Sequence, residues 1–395
     1  MAVITFLLAL LATLSAIPGY ILLAQVISSL RVGTEADERS GLAPRFAVLI
    51  PAHDEESGIL ATLAAAAQQL SAADRILVVA DNCTDDTAAV ARAFGATVAE
   101  RFDPAFRGKG YALDFGLRAL RDDPPEVVIV LDADCLVGPM ALERIASLAH
   151  RLGSPVQASY EMSPPAMSGV RDRISAFAWR VRNWSRPLGM HRWGFPCQLM
   201  GSGMAFPWKL ISSIELATGH LAEDMQMGLD LCRLGHAPVF CPSATVASRF
   251  PEDGEGARIQ KTRWEHGHLA MIAGTVPRLF VQSLSQLNGN LALMALDLCV
   301  PPLSLQILIS CVVTLAMLPI AILTHHFAGL AIAGSGLASL ALAVAAAWFA
   351  HGRMIVSFQD LLRSIGYIAW KIPVYLKLVS SRQIEWIRTK RGAGR

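Results

Sequence analysis

Two stretches of the chain show neither the two-residue alternation of a half-buried strand nor the one-sided stripe of a surface helix, because they are apolar on every face. Residues 1–30 carry no Asp, Glu, Lys or Arg, and residues 291–350 carry only Asp297. At about 1.5 Å per residue the first is long enough to cross a hydrocarbon core as an anchor, with Arg31 just past its end. A cleaved secretory leader is the competing reading. It is disfavoured by the missing basic start and by an apolar run longer than the usual stretch of roughly 7–15 residues. The later stretch divides at Thr324, His325 and His326 into runs over 291–323 and 327–350, which predict two further spans. Asp297, near the start of its run, is expected to face protein or the head-group layer, and Gly334 and Gly336 could bring helices close together.

Between the apolar ends the pattern changes. FAVLIPA (46–52), RILVVAD (75–81), ATVAE (96–100) and VVIVLDAD (127–134) read as strands separated by Ala-rich or amphipathic segments. This predicts an α/β domain with a mostly parallel sheet and ligands at the carboxyl ends of the strands. No G-x-G-x-x-G follows the first strand and no G-x-x-x-x-G-K-[ST] occurs, which disfavours dinucleotide dehydrogenases and P-loop NTPases.

Composition sharpens the division. Charged residues make up 17% of the 395 residues, against about 25% in a typical soluble domain. All but one of those charges lie outside the two apolar stretches, so a soluble domain sits between membrane segments. The net charge of +2 gives no global field for nucleic acid. Seven cysteines without a C-x-x-C pair argue against a disulfide framework or a zinc cluster and fit a reducing compartment. After residue 350 nine Lys or Arg face only Asp360 and Glu385, so the C-terminus and the central domain are expected to be cytoplasmic and the N-terminus outside. Trp370, Tyr375 and Trp386 interleave with Lys371, Lys377 and Arg382, as in a helix lying in the head-group layer, kinked at Pro373. The expected organisation is an anchor over 1–30, a catalytic domain over 44–270, an interfacial segment over 271–290, two spans over 291–350 and a basic interfacial helix over 351–395.

Candidate chemistry gathers after the strands. His53, Asp54, Glu55 and Glu56 follow the first, Asp81 and Asn82 the second, and Asp132 and Asp134 the fourth. Two carboxylates two residues apart in an extended segment share a side and suit a divalent cation bridging a diphosphate. RGKGYALDFGL (107–117) places Lys109 between glycines before a helix, where backbone N–H groups and an ammonium can meet a phosphate. GSGMAF (201–206), with Gly203, permits close backbone approach or simply enters a strand. HLAEDMQMGLDL (220–231) opens a helix with Glu223 and Asp224. These either complement the helix dipole or supply a general base in Asp224. QKTRW (260–264) is expected by chance in about one chain of sixty. On a helix Gln260 and Arg263 share a face, Arg263 can neutralise a departing diphosphate, and Trp264 offers a flat platform to a sugar.

Taken in order, VLIPAHDEE (48–56), VVADNCTDDT (78–87), RGKGYALDFGL, VVIVLDAD, GSGMAF, HLAED and QKTRW resemble the family 2 membrane glycosyltransferases of GT-A fold, such as cellulose-synthase-like, hyaluronan-synthase-like and ceramide-glucosyltransferase-like enzymes. The resemblance implies that His53, Asp54, Glu55 and Asp81 hold uridine and that Lys109 lines the nucleotide pocket. It implies that Asp132 and Asp134 form a DxD motif for Mg²⁺ or Mn²⁺ with the diphosphate, and that Asp224 is the base on the acceptor hydroxyl. Gly203, Glu223, Gln260, Arg263 and Trp264 would contact diphosphate and acceptor. The sequence departs from the family at His53-Asp54, where many members have Tyr-Asn. The tail WKIPVYLKLVSSRQIEWIRTKR is similar to the end of bacterial exopolysaccharide members. Such enzymes invert, so the expectation is an inner-membrane transferase moving a hexose or N-acetylhexosamine from a UDP-sugar to a lipid-linked acceptor, polyprenyl or another glycolipid, with polysaccharide-assembly proteins as further partners. A processive, exporting synthase is the alternative, against which three spans are few to enclose a glycan channel. A noncatalytic assembly component is a third reading, and no charged motif residue has been lost to support it.

Overall fold

The computed structural model describes residues 2–31, 44–164, 168–217, 222–250 and 254–380, leaving aside the side chains of residues 2–4, 254–260, 365, 368–370, 373, 374 and 376–380. Eight strands form one sheet: β1 (Phe46–Ala52), β2 (Arg75–Asp81), β3 (Thr97–Arg101), β4 (Val127–Val130), β5 (Leu136–Val137), β6 (Val156–Ser163), β7 (Met204–Pro207) and β8 (Val239–Arg249). Their spatial order is β3-β2-β1-β4-β7-β6-β8-β5. The four strands expected from sequence are parallel neighbours, β7 runs antiparallel between β4 and β6, and β6 and β8 are parallel again.

Period-2 alternation sorts each strand's side chains onto two layers of helices. Phe46, Val48 and Ile50 of β1 bury against the helices Ile59–Ala67 and Ala141–Leu152. Ala47 and Leu49 bury against Leu113 and Leu117 of the helix Lys109–Ala119 and against Met227 and Leu231 of the helix Glu223–Arg233. From β1 the chain moves to β2 and β3 on one side, and β4 joins on the other. The loops leaving β1 and β4 therefore diverge and open a crevice at the strands' carboxyl ends.

The strand expected over 127–134 stops at Val130. Asp132 and Asp134 lie in a turn closed by the Cys135 N–H donating to the Asp132 carbonyl at 3.1 Å. The strands β6 and β8 did not stand out in the sequence. In β8 the register against β6 skips three residues, from Ala158 opposite Cys241 to Ser159 opposite Thr245, and the bulge accommodates Pro242 where a regular ladder would need its missing N–H.

Among the described residues three helices are long and apolar enough to cross a membrane, spanning Thr5–Ser29, Leu303–Thr324 and Ala328–Gly352. The run expected as a span over 291–323 is divided: Gly289–Leu298 is a separate short helix and the long helix begins at Leu303. Pro301 and Pro302 lie at the break, where missing N–H groups and the bias against helix before proline end the first segment. The first and third long helices cross with backbones nearly touching, since a Cβ on Gly19 would lie 2.6 Å from the Gly336 carbonyl oxygen. Gly334, in contrast, faces open space.

Asp297 faces protein. It accepts from Gln25 of the first helix at 2.7 Å and from Arg186 of the catalytic domain at 2.8 Å, and all three side chains are buried. Another tie comes from the helix Phe358–Ser380, where Asp360 accepts two hydrogen bonds from Arg173, at 2.9 and 3.0 Å, Lys371 pairs with Glu265, and the Tyr375 hydroxyl meets Ser304 at 2.6 Å. This helix is docked on the catalytic domain as well as basic. The side chains of Trp370 and Lys377 and all of residues 381–395, including Arg382 and Trp386, lie outside the described residues.

Candidate active site

The crevice at the strand ends is lined by His53, Asp54 and Glu55 after β1, Asp81 and Asn82 after β2, Arg107 and Lys109 before the helix Lys109–Ala119, Asp132 and Asp134 after β4, and Glu223 and Arg263 from two further helices. Six carboxylates thus stand against three cations. Backbone strain marks both strand ends, because Asp54 and Asn82 each hold φ near +52°, a region L-residues seldom adopt and one found at ligand-binding turns.

Loops after β1 and β2 are stitched together by their own polar groups. The Thr84 N–H donates to Asp54 at 2.6 Å, and the Glu55 N–H donates to the Thr87 hydroxyl at 2.7 Å. His53 Nδ1 sits 2.7 Å from the Asp81 carbonyl oxygen. The Asp81 carboxylate is held by Arg101 at 2.6 Å and by Asn82 at 3.0 Å.

Lys109 bridges two sides of the crevice, pairing with Asp132 and donating to the Gly201 carbonyl at 2.7 Å. Burial works against its charge, but Asp132, with Glu223 and Asp224 beyond it, holds the ammonium above its ordinary pKa. Asp134 accepts from the Ser248 hydroxyl of β8 at 2.7 Å. Ligand atoms of Asp132, Asp134 and Cys135 all lie within 4.8 Å of one another. Burial pushes the Cys135 thiol well above its ordinary pKa, and the neighbouring aspartates push it further. It remains a neutral thiol and leaves a two-carboxylate donor set. Hard oxygen donors of this kind fit Mg²⁺ or Mn²⁺. The crevice is acidic, so a bound diphosphate would need such a cation between the two sets of negative charge.

Glu223 and Asp224 open their helix side by side. Burial and the adjacent Asp224 raise Glu223 to about 7, against the pull of Lys109 and Arg263. Burial raises Asp224 as well, opposed by a backbone N–H, Lys109 and Arg182. A Cβ on Gly201 would lie 3.4 Å from Asp224 Oδ2 and 3.9 Å from Lys109 Nζ. Gly201, at φ +96°, is therefore the glycine of GSGMAF that meets the charged groups. Gly203 belongs to the sheet instead: its N–H donates to Val130, its carbonyl accepts from Ala158, and a Cβ would strike Val246 at 2.7 Å.

The helix Gly254–Gly274 carries the Q-x-x-R-W element. The Gln260 side chain lies outside the described residues. Arg263 lines the acidic crevice, whereas Trp264 lines a second, largely apolar cavity bounded by Leu22, Leu303, Ile307 and Val344. Trp264 stacks against Trp179 with ring centroids 4.9 Å apart, so it is both packed and cavity-facing.

A family model described as Glycosyltransferase like family 2 matches residues 44–267, more than half of the chain. The chain belongs to that family. It is 26% identical over 252 residues to "Probable glycosyltransferase YdaM" of Bacillus subtilis (strain 168), a match covering 60% of this chain and 58% of that protein's length. Its fold is similar to that of the mannosyltransferase PcManGT from Pyrobaculum calidifontis, solved with GDP-Man and Mn²⁺. The TM-score is 0.56 at 17% identity, with 95% of this chain and all of that one covered. Sequence reasoning did not single out Gly201 or Ser248, which contact Lys109 and Asp134 of the crevice, or Arg182 and Arg186, which line a neighbouring small cavity. Six arginines against one acid over residues 171–192 were the available signal for the two arginines.

Proposed function

We propose that this glycosyltransferase is membrane-embedded and inverting, and that it transfers one sugar from a UDP-sugar to a lipid-linked acceptor at the bilayer surface. The observation that carries this reading is the step between Arg263 and Trp264. Consecutive residues of one helix face an acidic crevice suited to a metal-diphosphate and an apolar cavity bounded by the long apolar helices. Donor and acceptor would meet where Glu223 and Asp224 open the neighbouring helix. Exposed Val281, Leu284 and Leu287 fit an apolar edge resting on lipid. The basic tail supports a catalytic domain on the cytoplasmic side of a bacterial inner membrane, and on this reading a reporter fused after Arg395 should be active only in the cytoplasm.

The acceptor oxygen attacks C1 of the sugar, and Asp224 takes the hydroxyl proton. The C1–O bond to the diphosphate breaks on the opposite face, and its electron pair leaves with UDP. Lys109 and Arg263 stabilise the charge gathering on the leaving group. His53, Asp54, Glu55 and Asp81 line the nucleoside end. Asp132 and Asp134 would hold Mg²⁺ or Mn²⁺, which supplies Lewis-acid neutralisation of the diphosphate. Gln260 is assigned to the diphosphate and acceptor by family resemblance.

The test is UDP release by purified protein over a panel of UDP-sugars, with GDP-mannose for comparison, with and without a lipid extract. One sugar added per acceptor is expected with one UDP-sugar. A ladder of products would replace this reading with the processive synthase, and lipid-independent transfer to a soluble acceptor would remove the lipid.

A further inference from the structure

Two arginines four residues apart have opposite surroundings. Arg186 is neutralised by Asp297 and hydrogen-bonded to Gln25 at 3.2 Å. The Arg182 guanidinium is half-buried, and among the described residues it makes no hydrogen bond and no ion pair. It lines the apolar cavity that holds Trp264. A guanidinium withdrawn from water without a partner is unfavourable unless something else supplies the anion.

We infer that Arg182 is the anion-binding end of an acceptor subsite that takes the phosphate of a long-chain lipid phosphate, with the hydrocarbon lying along Leu22, Leu303, Ile307 and Val344. This rests on the glycosyltransferase reading above and names the chemistry of its acceptor. Three features support it. The cavity, about 140 Å³, is mainly apolar, which selects a lipid chain over a free anion. Among the described residues, Lys261 lines the same cavity with a hydrogen bond to Ser175 at 2.9 Å and no carboxylate partner, and both amide atoms of buried Gln306 make no hydrogen bond. Three side chains with N–H donors, Arg182, Lys261 and Gln306, thus line one cavity, where a phosphate's several acceptor oxygens could be bound. Of the carboxylates nearby, Glu265 in the same cavity pairs with Lys371 through one oxygen while its other oxygen makes no hydrogen bond among the described residues, and Asp224, Asp297 and Glu265 act on Arg182 only through space, without an ion pair.

The position also suits transfer. Arg182 and His268 line a second, smaller cavity of about 30 Å³ that reaches Met225, the residue after Asp224. Burial holds Arg182 below its ordinary pKa and Arg186 adds to this, while Asp224 acts in the opposite direction. A lipid phosphate at Arg182 would have its head group, or a sugar esterified to it, next to the small cavity that reaches Met225 in the Glu223–Arg233 helix. A neutral glycolipid would leave Arg182 as unpartnered as before.

The experiment uses the full chain in detergent micelles and measures binding of a polyprenyl phosphate, the matching polyprenol and inorganic phosphate. UDP–Mn²⁺ binding is measured in parallel. The lipid phosphate should bind at least about tenfold more tightly than the alcohol, and inorganic phosphate alone should not bind measurably. Arg182→Gln should remove most of that difference and Arg182→Lys should keep part of it, with UDP–Mn²⁺ binding retained as the sign of a folded donor site. Equal affinity for phosphate and alcohol in the native protein would overturn the inference even if Arg182→Gln failed to fold. Inorganic phosphate binding as tightly as the lipid would overturn the lipid part. Absence of UDP–Mn²⁺ binding in the native protein would instead remove the glycosyltransferase reading, whatever the lipid result.

Discussion

In the strand-end crevice Lys109 already holds Asp132 and Arg101 already holds Asp81. Across the Gly254–Gly274 helix, in the apolar cavity, Arg182 holds nothing among the described residues. A ligand entering the crevice must exchange one set of charge pairs for another. Its affinity then depends on a cation to offset the surplus of carboxylates. A ligand reaching Arg182 supplies a missing partner and displaces none. On the readings proposed above, the crevice suits a ligand that arrives with its own counter-ion, and the cavity one whose charge meets Arg182 at the end of an apolar body.

The largest expected effect separates binding from chemistry at the border between the two. Asp224→Asn should lower transfer by about 10²–10⁴-fold, with UDP–Mn²⁺ affinity unchanged, because the base is needed in the transition state and not by the nucleotide. Single-turnover product formation beside a UDP titration measures both. Unaltered turnover would reduce Asp224 to a helix-start carboxylate.

Next in size is the arginine that has a partner. Arg186→Met leaves the buried Asp297 carboxylate without its cation and should cost about 3–5 kcal/mol of stability, read by thermal unfolding in detergent. The double variant Arg186→Met with Asp297→Leu should recover much of that loss. Arg182→Gln should cost far less, since no described partner is orphaned by it. Similar losses at both arginines would erase the contrast drawn between them.

The crevice itself is addressed by Asp134→Ala. Loss of one of two carboxylates should weaken UDP binding in Mn²⁺ by at least about tenfold and leave UDP binding in chelator nearly as in the native protein. Calorimetric titration in the two buffers checks this. Equal weakening in both would assign Asp134 to the loop through Ser248 rather than to a metal.

These contrasts also explain what could be read from sequence. Phe46–Ala52, Arg75–Asp81 and Val127–Val130 announce themselves because strands buried on both faces are continuous apolar runs, and the acidic residues that end them mark the crevice. β8 escaped notice because Cys, Pro, Ser and Thr interrupt its apolar alternation and because its bulge is set by long-range register with β6. The pairing of Asp297 with Arg186 joins residues 111 apart, and no local pattern encodes it. Pro301-Pro302 was a legible stop signal inside a run whose hydrophobicity concealed it. Arg182 was visible only as one of many arginines. Its meaning comes from the absence of a partner among the described residues, which requires a fold to establish.

The smallest expected effect tests whether the crevice stores unfavourable charge when no ligand is present. Burial beside Asp224 holds Glu223 at about 7, above the usual glutamate value. Between roughly pH 4.5 and 7 the folded protein therefore keeps a proton that the unfolded chain has lost, and folding stability falls as pH rises through that window. Glu223→Gln removes the titrating group and with it this loss. The variant should gain on the native protein by on the order of 2 kcal/mol between pH 5.5 and 8, after allowing for partial solvent access, seen as a widening difference in unfolding temperature. With UDP and Mn²⁺ bound the added cation should shrink that gain, because a positive charge nearby favours ionised Glu223. A difference that is flat across pH would mean that Lys109 and Arg263 already neutralise the pair. The crevice would then hold no excess charge for its ligand to relieve.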